Sequence, residues 1–321
     1  MSTMRAMVMT KTGDADVLTM TDLPMPVRAG ADVLVRVHAT SVNPIDVKTR
    51  AGRGAAAAIR QYPVVLGYDI AGTVIESAYS AHPLAPGSEV YGMTMVPRFD
   101  GGNAEYAVIS ELFLAAKPSS LTMVGAAAVP LAALTAWGMV VDVARAHEGQ
   151  RILIHAGAGG VGHFAVQLAA FFGAHVTATC STANVSFVRE LGAHRVVDYT
   201  VDAFDAEVRN VDVVIDLIGN VHDATGTRSL ATLRPGGLLV NAPTGSWPTM
   251  QEEAAVAGVR ATGYAVSPNG ATLAVIGRMI EAGDLRVHLD RVLPLEQLAD
   301  AHRLVETGHT RGKIAIDLAG N

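Results

Sequence analysis

The amino-acid sequence predicts an α/β protein of two domains, one β-rich and antiparallel, the other built around a parallel, doubly wound sheet. Three observations favour this fold class. The length of 321 residues is that of about two ordinary domains. Half of the residues are hydrophobic and only 17% are charged, as in chains with large buried cores. Strand and helix patterns alternate regularly only in the middle of the sequence, which places the parallel sheet there.

The first part of the chain is rich in short strand-like segments. Val33–Val37 and Gly72–Glu76 are examples, and turns containing Pro, Gly, Asn and Asp separate such segments. This spacing predicts a small antiparallel barrel rather than βαβ units. The pattern changes near Leu121, and Ala126–Ala146 is typical of a helix. We therefore predict the first segment of the barrel domain over residues 1–122.

From Arg151 onward, apolar strand patterns alternate with helical ones. The predicted strands are 151–155, 175–179, 195–197, 211–215 and 238–240, and the predicted helices are 161–172, 185–191 and one ending at 229–233. Pro235–Gly237 is predicted to form a turn. Because strands that alternate with helices imply a parallel sheet, we predict the second domain over residues 123–262.

The last segment, residues 263–321, contains two predicted helices and a final strand. The helices are Ala271–Ala282 and Leu295–Glu306, and the strand is Lys313–Leu318. A glycine follows each helix closely, which is a common way for a helix to end. We expect the final strand to pair with the N-terminal barrel, which makes the parallel-sheet domain an insertion into the barrel domain.

Charge and cysteine content exclude several kinds of partner. The formal net charge of -6 and the lack of a Lys/Arg cluster disfavour nucleic acid and anionic membranes. No apolar run approaches the ~20 residues of a membrane span, and we expect no signal peptide. Cys180 is the only cysteine, so an intramolecular disulfide is impossible and a structural zinc site is disfavoured. We predict a cytoplasmic protein that binds no nucleic acid, membrane or metal.

A glycine-rich turn joins the first predicted strand of the parallel sheet to its first helix. Gly157-Ala-Gly-Gly-Val-Gly162 matches the pattern G-x-G-x-x-G. In such a turn the first glycine permits a tight bend, the second lets a pyrophosphate approach, and the third lets the helix pack closely. The helix N-terminus offers N–H groups and partial positive charge. The alternative is a turn without a ligand. The predicted contacts of this Rossmann dinucleotide site are Gly157, Gly159, Gly160, Val161 and Gly162.

The ribose end of the predicted site carries hydroxyls where NAD-specific domains carry an acid. That acid usually stands about 20 residues after the first glycine, at the end of the second strand. Here Ser181 and Thr182 occupy this position. Both can donate to a 2′-phosphate, with Arg189 as a charge partner, which favours NADP(H); alternatively, the two hydroxyls only cap the next helix. Tyr199 and Ile218 are also predicted to bind the cofactor.

Six segments, in order over nearly the whole chain, form a recognisable set. They are Ser41–Asp46, Pro63–Gly72, Leu134–Trp137, His155–Gly162, Leu191–Ala193 and Arg311–Lys313. Together they resemble the medium-chain dehydrogenase/reductase superfamily, and within it the zinc-free quinone oxidoreductase (zeta-crystallin-like) branch. The resemblance implies a GroES-like β-barrel catalytic domain together with the Rossmann domain. It also implies a homodimer, for which the stretch Gly258–Ala265 is the expected sheet edge.

The zinc-dependent branch carries Cys and His ligands in two of these segments. The first segment here has no Cys, and the Gly-His-Glu of the second is replaced by Gly67-Tyr68-Asp69. The four-cysteine structural zinc lobe is missing as well. The resemblance therefore implies that the cofactor carries the chemistry and the protein orients it.

The resemblance also implies roles for residues outside the glycine turn. Asn43 and Asp46 would face the nicotinamide and substrate, and the Asn43 amide would polarise a carbonyl; without the resemblance, Asn43 before proline indicates a turn. Tyr68 either donates to a developing enolate or fills the former metal site as a half-buried aromatic. Thr135 would contact the nicotinamide, unless it simply packs within a helix. Lys313 would lie near the nicotinamide, or on a surface strand.

Two residues within the matching segments are expected to be structural. We expect Asp69 to hold the local backbone and His155 to be a satisfied core histidine.

Two positions depart from the family pattern. Relatives often carry a Lys soon after the Ser-Thr pair, where this chain has Ala183–Val185, and this weakens the NADP(H) prediction. Relatives also often carry a Tyr where Lys48 and Thr49 stand, which indicates a different substrate pocket.

These observations predict an NADPH-dependent, zinc-independent oxidoreductase that transfers hydride to a quinone or an α,β-unsaturated carbonyl. The partner is then a small-molecule substrate. Three alternatives stay open. One is an enoyl-thioester or polyketide-intermediate reductase of the same superfamily. A zinc-free alcohol dehydrogenase is disfavoured, because a Lewis acid assists alkoxide formation. The third is a non-catalytic NADPH-binding protein, since a binding site does not prove turnover.

Overall fold

The computed structural model describes residues 2–99 and 101–319, which fall into two compact units. The first unit combines Met1–Leu134 with Ser267–Asn321, and the second unit is Thr135–Val266. The chain therefore leaves the first unit, builds the whole second unit and returns. Both boundaries fall later in the chain than the predicted domain boundaries at residues 123 and 263.

Within the described residues the chain forms sixteen strands. In order they are β1 (Thr3–Met9), β2 (Leu18–Pro24), β3 (Asp32–Val42), β4 (Val64–Val65), β5 (Asp69–Glu76), β6 (Glu89–Met93), β7 (Tyr106–Ser110), β8 (Leu114–Ala116), β9 (Arg151–Ile154), β10 (His175–Cys180), β11 (Arg195–Asp198), β12 (Val211–Asp216), β13 (Leu233–Asn241), β14 (Arg260–Gly263), β15 (Leu289–Pro294) and β16 (Lys313–Asp317).

The same residues form ten α-helices. They are α1 (Pro44–Arg50), α2 (Met123–Ala127), α3 (Pro130–Trp137), α4 (Gly162–Phe171), α5 (Val185–Glu190), α6 (Phe204–Glu207), α7 (Thr225–Leu230), α8 (Met250–Val256), α9 (Gly270–Ala282) and α10 (Leu298–Glu306). A π-helical segment, Gly138–Val143, follows α3, and single 3₁₀ turns occupy Ala15–Val17, Ala56–Ala58, Glu111–Phe113, Thr182–Asn184 and Leu295–Gln297. None of the helices described has the length and apolar character needed to cross a membrane.

The first unit contains two sheets. One is three-stranded, in the order β2-β1-β4, and the other is seven-stranded, in the order β15-β16-β3-β5-β6-β8, with β7 also pairing with β3. Val33, Val35 and Val37 of β3 project into one core cluster with Ile70 and Val74 of β5. Strand β16 pairs antiparallel with β3. The predicted return of the final strand to the N-terminal barrel is therefore confirmed.

The second unit is built on one parallel sheet of six strands. Their order is β11-β10-β9-β12-β13-β14, which is the strand order of a doubly wound Rossmann sheet. Ile152, Leu153 and Ile154 of the central strand are all fully buried, as expected for a strand covered on both faces. The predicted α/β fold class and its parallel sheet are confirmed.

Two predicted boundaries in this sheet are wrong. The helix predicted to end at 229–233 ends at Leu230, and Leu233 already begins β13. The predicted turn Pro235–Gly237 lies inside β13, where the pairing with β12 shifts register. Proline and glycine here mark an irregularity within a strand rather than its end, which is a known position for both residues.

Candidate functional site

A strand, a turn and a helix position the glycine-rich segment, as predicted. Strand β9 ends at Ile154 and α4 begins at Gly162. A Cβ on Gly162 would lie 2.0 Å from the carbonyl oxygen of Ala156, so only glycine lets the helix begin this close to the turn. A Cβ on Gly157 would lie 3.0 Å from the Cβ of Ala178. The packing of the protein itself therefore requires glycine at position 162 and leaves little room for a side chain at position 157.

The middle of the turn has room that the protein does not fill. A Cβ on Gly159 would meet only the Ala156 carbonyl oxygen, at 3.3 Å. No backbone carbonyl in the described part of the chain accepts a hydrogen bond from the N–H groups of Gly160, Val161 and Gly162. Such N–H groups at a helix N-terminus attract anions, and the helix dipole adds to the attraction. The turn thus fits a dinucleotide pyrophosphate, which these residues would hold.

His155 lies directly before the turn and is 1% exposed. Its ring nitrogens lie 3.1 Å from Thr179 Oγ1 and 2.8 Å from Ser229 Oγ. Burial lowers the pKa of His155 to about 4, so the ring is neutral at pH 7. The expectation of a satisfied core histidine is confirmed.

The other predicted cofactor residues at the sheet follow three of its strands, and two of these strands flank β9. Ser181 and Thr182 follow β10, Tyr199 follows β11, and Ile218 follows β12. Because the carboxyl ends of parallel strands meet at one edge, these residues share the edge that carries the glycine turn. The Asp216 carboxylate accepts a hydrogen bond from the N–H of Ile218 at 2.9 Å, which fixes the turn at that position. Asp216 is a positioning residue that the sequence analysis missed.

A carboxylate that was not anticipated lies at the ribose end. Asp198 ends β11 and pairs in register with Cys180 at the end of β10. Thr200 Oγ1 donates to Asp198 at 2.6 Å and lies 2.8 Å from Thr182 Oγ1. The hydroxyls of Thr182 and Thr200 lower the pKa of Asp198, which is therefore ionised. The third strand supplies an acid where the second strand has none.

Thr135 lies inside α3 and is 6% exposed. The role of Thr135 toward the nicotinamide stays a prediction.

In the first unit, segments far apart in sequence bring polar side chains into one buried cluster. The Asn43 amide nitrogen donates to Asp69 Oδ2 at 2.7 Å, and Ser41 Oγ donates to the same oxygen at 2.5 Å. Lys313 Nζ donates to Asn43 Oδ1 at 2.5 Å. All four side chains are at most 3% exposed. We call Ser41, Asn43, Asp46, Asp69 and Lys313 the polar network.

Asp46 anchors the start of α1. Its carboxylate accepts from the N–H of Asn43 at 2.9 Å and from the N–H of Gly67 at 3.0 Å. The first of these bonds is the one that a carboxylate makes in a capping box. Burial raises the pKa of Asp46 to about 7, and Asp69 acts in the same direction, whereas the two N–H groups and Lys313 oppose them. Asp46 therefore fixes the backbone at Asn43 and Gly67. Its catalytic role stays a prediction.

Tyr68 is 1% exposed rather than half-buried. Its hydroxyl has no partner in hydrogen-bonding geometry within the described residues, and Thr49 is a nearby polar group. Burial, followed by the negative charge of Asp46, raises the pKa of Tyr68 above its ordinary value. The phenol therefore keeps its proton and can donate it to a hydrogen bond. Its catalytic role stays a prediction.

The remaining two members of the polar network are also fixed. Asp69 Oδ1 accepts from the N–H of Leu131 at 2.7 Å, so the expectation that Asp69 holds local backbone is confirmed. Lys313 is 3% exposed, and the surface-strand alternative is therefore wrong. Its ammonium group also donates to the Val42 carbonyl oxygen at 3.1 Å and lies 3.7 Å from Asp69 Oδ2. Burial lowers the pKa of Lys313, and the carboxylates of Asp69 and Asp46 oppose this shift.

The positions of zinc ligands in related enzymes carry other residues here. Tyr68 stands in one of the two segments concerned, and the Ser41–Asp46 segment contains no cysteine. Over residues 2–99 and 101–319, no three His, Cys, Asp or Glu side chains form a cluster that can hold a metal ion.

Two family descriptions match separate parts of the chain. "Alcohol dehydrogenase GroES-like domain" matches residues 29–119, and "Zinc-binding dehydrogenase" matches residues 191–316. The first match confirms the predicted GroES-like character of the barrel unit.

Individual relatives match almost the entire chain. It is 32% identical to "NAD(P)H oxidoreductase RTN4IP1, mitochondrial" of Mus musculus, over 98% of this chain and 89% of the mouse protein. It is 34% identical to "NADPH-dependent alkenal/one oxidoreductase, chloroplastic" of Arabidopsis thaliana, over 98% of this chain and 79% of the plant protein. The solved quinone oxidoreductase of Coxiella burnetii superposes with a TM-score of 0.93 at 35% identity, covering 99% of this chain and 100% of the other. The chain is thus an oxidoreductase that belongs to the medium-chain dehydrogenase/reductase superfamily, in its zinc-free quinone oxidoreductase-like branch.

Proposed function

We propose that this protein is an NADPH-dependent, zinc-independent reductase that transfers hydride to a quinone or an α,β-unsaturated carbonyl. The observation that carries the proposal is the buried Asn43 amide, whose nitrogen has two hydrogens but donates only one, to Asp69. An amide N–H held in this way suits a substrate oxygen on which negative charge develops. The activities after which the related alkenal/one oxidoreductase and quinone oxidoreductase are named support this substrate class.

Support for NADPH comes from the second unit. The N–H groups of Gly160, Val161 and Gly162 suit the pyrophosphate. Ser181 and Thr182 can donate to a 2′-phosphate, and the related plant enzyme is named as NADPH-dependent. Asp198 acts against this preference, because its negative charge repels a phosphate close to Thr182.

The proposed chemistry divides between cofactor and protein. When bound, NADPH would supply the hydride that reduces the conjugated carbonyl at its β-carbon. The protein meets the negative charge that develops on the carbonyl oxygen, through the Asn43 amide or the hydroxyl of Tyr68. Tyr68 suits this role because it remains protonated at neutral pH. Solvent then provides the proton that completes the reduction.

The proposal includes two features of the protein's setting. We propose a homodimer, in which the exposed and half-buried residues of the sheet-edge strand β14 pair with a second copy. We also propose a cytoplasmic location, although the mouse and plant relatives are named as mitochondrial and chloroplastic.

The test follows oxidation of NADPH by chelator-treated protein with a panel of simple quinones and enones, and with NADH in parallel. We expect turnover that is insensitive to chelator and faster with NADPH. Asn43→Ala should lower kcat by roughly a hundredfold, as loss of one oxyanion donor does, while the dissociation constant of NADPH stays within about twofold.

Asn269→Ala is the matched control. Asn269 caps α9 by accepting from the N–H of Thr272, so its loss costs about 1 kcal/mol of stability and should leave kcat unchanged. Full turnover in Asn43→Ala would remove Asn43 from the mechanism. Tight NADPH binding without turnover of any acceptor by the wild-type protein would refute the proposed reaction.

A further inference from the structure

The Lys313 ammonium group is fully surrounded by acceptors of its own unit. It donates to Asn43 Oδ1 at 2.5 Å and to the Val42 carbonyl oxygen at 3.1 Å. Its nitrogen also lies 3.7 Å from Asp69 Oδ2, within ion-pair distance. An ammonium group has three hydrogens, and with 3% exposure little of Lys313 is left for another partner.

These contacts decide which way the Asn43 amide points. A lysine ammonium group can only donate and an ionised carboxylate can only accept. Lys313 therefore requires the amide oxygen on its side, and Asp69 requires the amide nitrogen on the other. The reversed amide would place N–H against ammonium and oxygen against carboxylate. Ser41 and the N–H of Leu131 hold the Asp69 carboxylate in turn.

The same arrangement strengthens Asn43 as a donor. A cation bonded to the amide oxygen draws electron density from the nitrogen, and hydrogen bonds in a chain polarise one another. The second N–H of Asn43 has no acceptor within residues 2–99 and 101–319. The polar network thus offers one N–H whose direction is fixed before a substrate arrives, which is the requirement for stabilising a developing oxyanion.

We propose that Lys313 is a positioning residue, which fixes and polarises the Asn43 amide with the help of Asp69, and that it is not a ligand of the cofactor. This inference rests on the proposed function, because Asn43 is there the donor to the substrate oxygen. It replaces the predicted contact of Lys313 with the nicotinamide.

The central experiment is a double-mutant cycle of Lys313→Met and Asn43→Ala in the full chain. We expect Lys313→Met to lower kcat by roughly ten- to a hundredfold, since small misplacements of a reacting group have effects of this size. The NADPH dissociation constant should change by less than about twofold. In the Asn43→Ala background, Lys313→Met should have almost no further effect on kcat, because the group through which it acts is missing.

Lys117→Met is the matched control for loss of a buried ammonium group. Lys117 belongs to the same unit, its side chain is 6% exposed, and it donates to the carbonyl oxygens of Pro118 and Leu121. This substitution should lower stability and leave kcat unchanged. Lys313→Gln is the second variant should Lys313→Met not fold, because a glutamine can present either an oxygen or a nitrogen to Asn43. It should show the same loss of kcat at unchanged NADPH affinity.

A spectroscopic readout is independent of turnover. The side-chain amide resonances of Asn43 are identified by their absence in Asn43→Ala. They should shift in Lys313→Met or Lys313→Gln and stay in place in Lys117→Met. An inactive wild-type protein would refute the proposed reaction, while these resonances would still decide whether Lys313 orients Asn43.

Three results would overturn the inference. The first is a tenfold or greater loss of NADPH affinity in Lys313→Met with kcat unchanged at saturating NADPH, which identifies a cofactor ligand. The second is an equal effect of Lys313→Met with and without Asn43. The third is an unchanged set of Asn43 amide resonances in both Lys313 variants.

Discussion

The two candidate sites of this protein are built from different chemical groups. In the second unit, the glycine-rich turn consists of backbone N–H groups and of positions without side chains, all within Gly157–Gly162. In the first unit, the polar network consists of buried side chains, and Lys313 is 270 residues from Asn43. The turn, which is formed by backbone groups, is therefore sensitive to added side-chain atoms. The polar network, which is formed by buried charged and polar side chains, is sensitive to protonation and to the loss of one of its members.

The largest effect is expected from adding one methyl group to the turn. Gly162→Ala places a Cβ 2.0 Å from the Ala156 carbonyl oxygen, which should cost about 3 kcal/mol or more because backbone yields little. Gly159→Ala should change stability by less than about 1 kcal/mol yet weaken NADPH binding at least about tenfold. Both tryptophans, Trp137 and Trp247, lie in the second unit, so urea unfolding followed by tryptophan fluorescence reports on this unit.

The two variants separate the roles of the two glycines. NADPH binding by Gly159→Ala as tight as that of the wild-type protein would show that a pyrophosphate does not use this part of the turn. Wild-type stability of Gly162→Ala would contradict the close contact of helix and turn.

The polar network should respond to pH through Asp46. Its carboxyl group has a pKa of about 7 when folded, against an ordinary value of 3.8. The unfolded chain therefore loses this proton first as pH rises, and the free energy of unfolding should fall between about pH 4 and pH 7. One pKa unit corresponds to about 1.4 kcal/mol, so a shift of about three units amounts to about 4 kcal/mol. Asp46→Asn cannot titrate and should flatten the profile.

The measurement is urea unfolding at several pH values. Pulsed hydrogen exchange of the backbone amides of β3 monitors the unfolding of the first unit, to which this strand belongs. Ser41→Ala is the control: it removes a hydrogen bond to Asp69 but no titratable group, so the slope should persist. Equal slopes in Asp46→Asn and the wild-type protein would contradict the raised pKa.

Two buried histidines allow the same comparison on a smaller scale. His155 of the second unit has partners on both ring nitrogens, whereas His302 of the first unit has none within the described residues. His155→Leu should cost about 2 kcal/mol at pH 7, because Thr179 and Ser229 lose a buried partner. His302→Leu should stay within about 1 kcal/mol of the wild-type stability, measured by urea unfolding.

The histidines also differ from Asp46 in the sign of their pH dependence. Burial lowers the pKa of His302 to about 3, with Arg50 adding to the shift. The unfolded chain therefore binds a proton first as pH falls below 6.5, and stability should decrease toward acid. His302→Leu should lack this decrease, which is about 2 kcal/mol at pH 5. An unchanged acid limb in this variant would show that His302 is not buried as a neutral ring.

The smallest effect is expected at the ribose end, where the second unit also uses a side-chain charge. Asp198 is exposed enough for solvent to screen it, so Asp198→Asn should improve NADPH affinity only by about three- to tenfold. NADH affinity should stay unchanged. Fluorescence titration gives the dissociation constants of NADPH and NADH for both proteins. An equal gain in affinity for the two cofactors would show that Asp198 does not face the 2′-phosphate.

The sequence predicted best what is encoded locally. The strand, turn and helix around Gly157–Gly162 follow from periodicity and glycine spacing within a dozen residues. The return of the last strand followed from the order of the elements. The irregular pairing at Pro235–Gly237 was mistaken for a turn, because proline and glycine interrupt strands in both situations.

Features that depend on pairing between strands could not be derived in this way. Asp198 reaches the ribose end only because β11 pairs in register with β10. Lys313 reaches Asn43 only because β16 lies beside β3. Neither its burial nor that of Tyr68 has a signature in the neighbouring sequence. The side-chain partners of the candidate site therefore required the structure, even where the residues themselves had been named.

The insertion of the second unit has a consequence for synthesis on the ribosome. Asn43 is translated 270 residues before Lys313, which at usual rates is on the order of 15–50 s. The second unit, Thr135–Val266, is continuous and can leave the exit tunnel entire before that time has passed. The nascent chain can thus fold its nucleotide-binding unit first. At that stage β16 has not been synthesised, so β3 lacks this neighbouring strand and Asp69 lacks the ammonium group of Lys313. Ribosomes stalled shortly before Lys313 should carry chains that capture the cofactor but cannot yet orient Asn43.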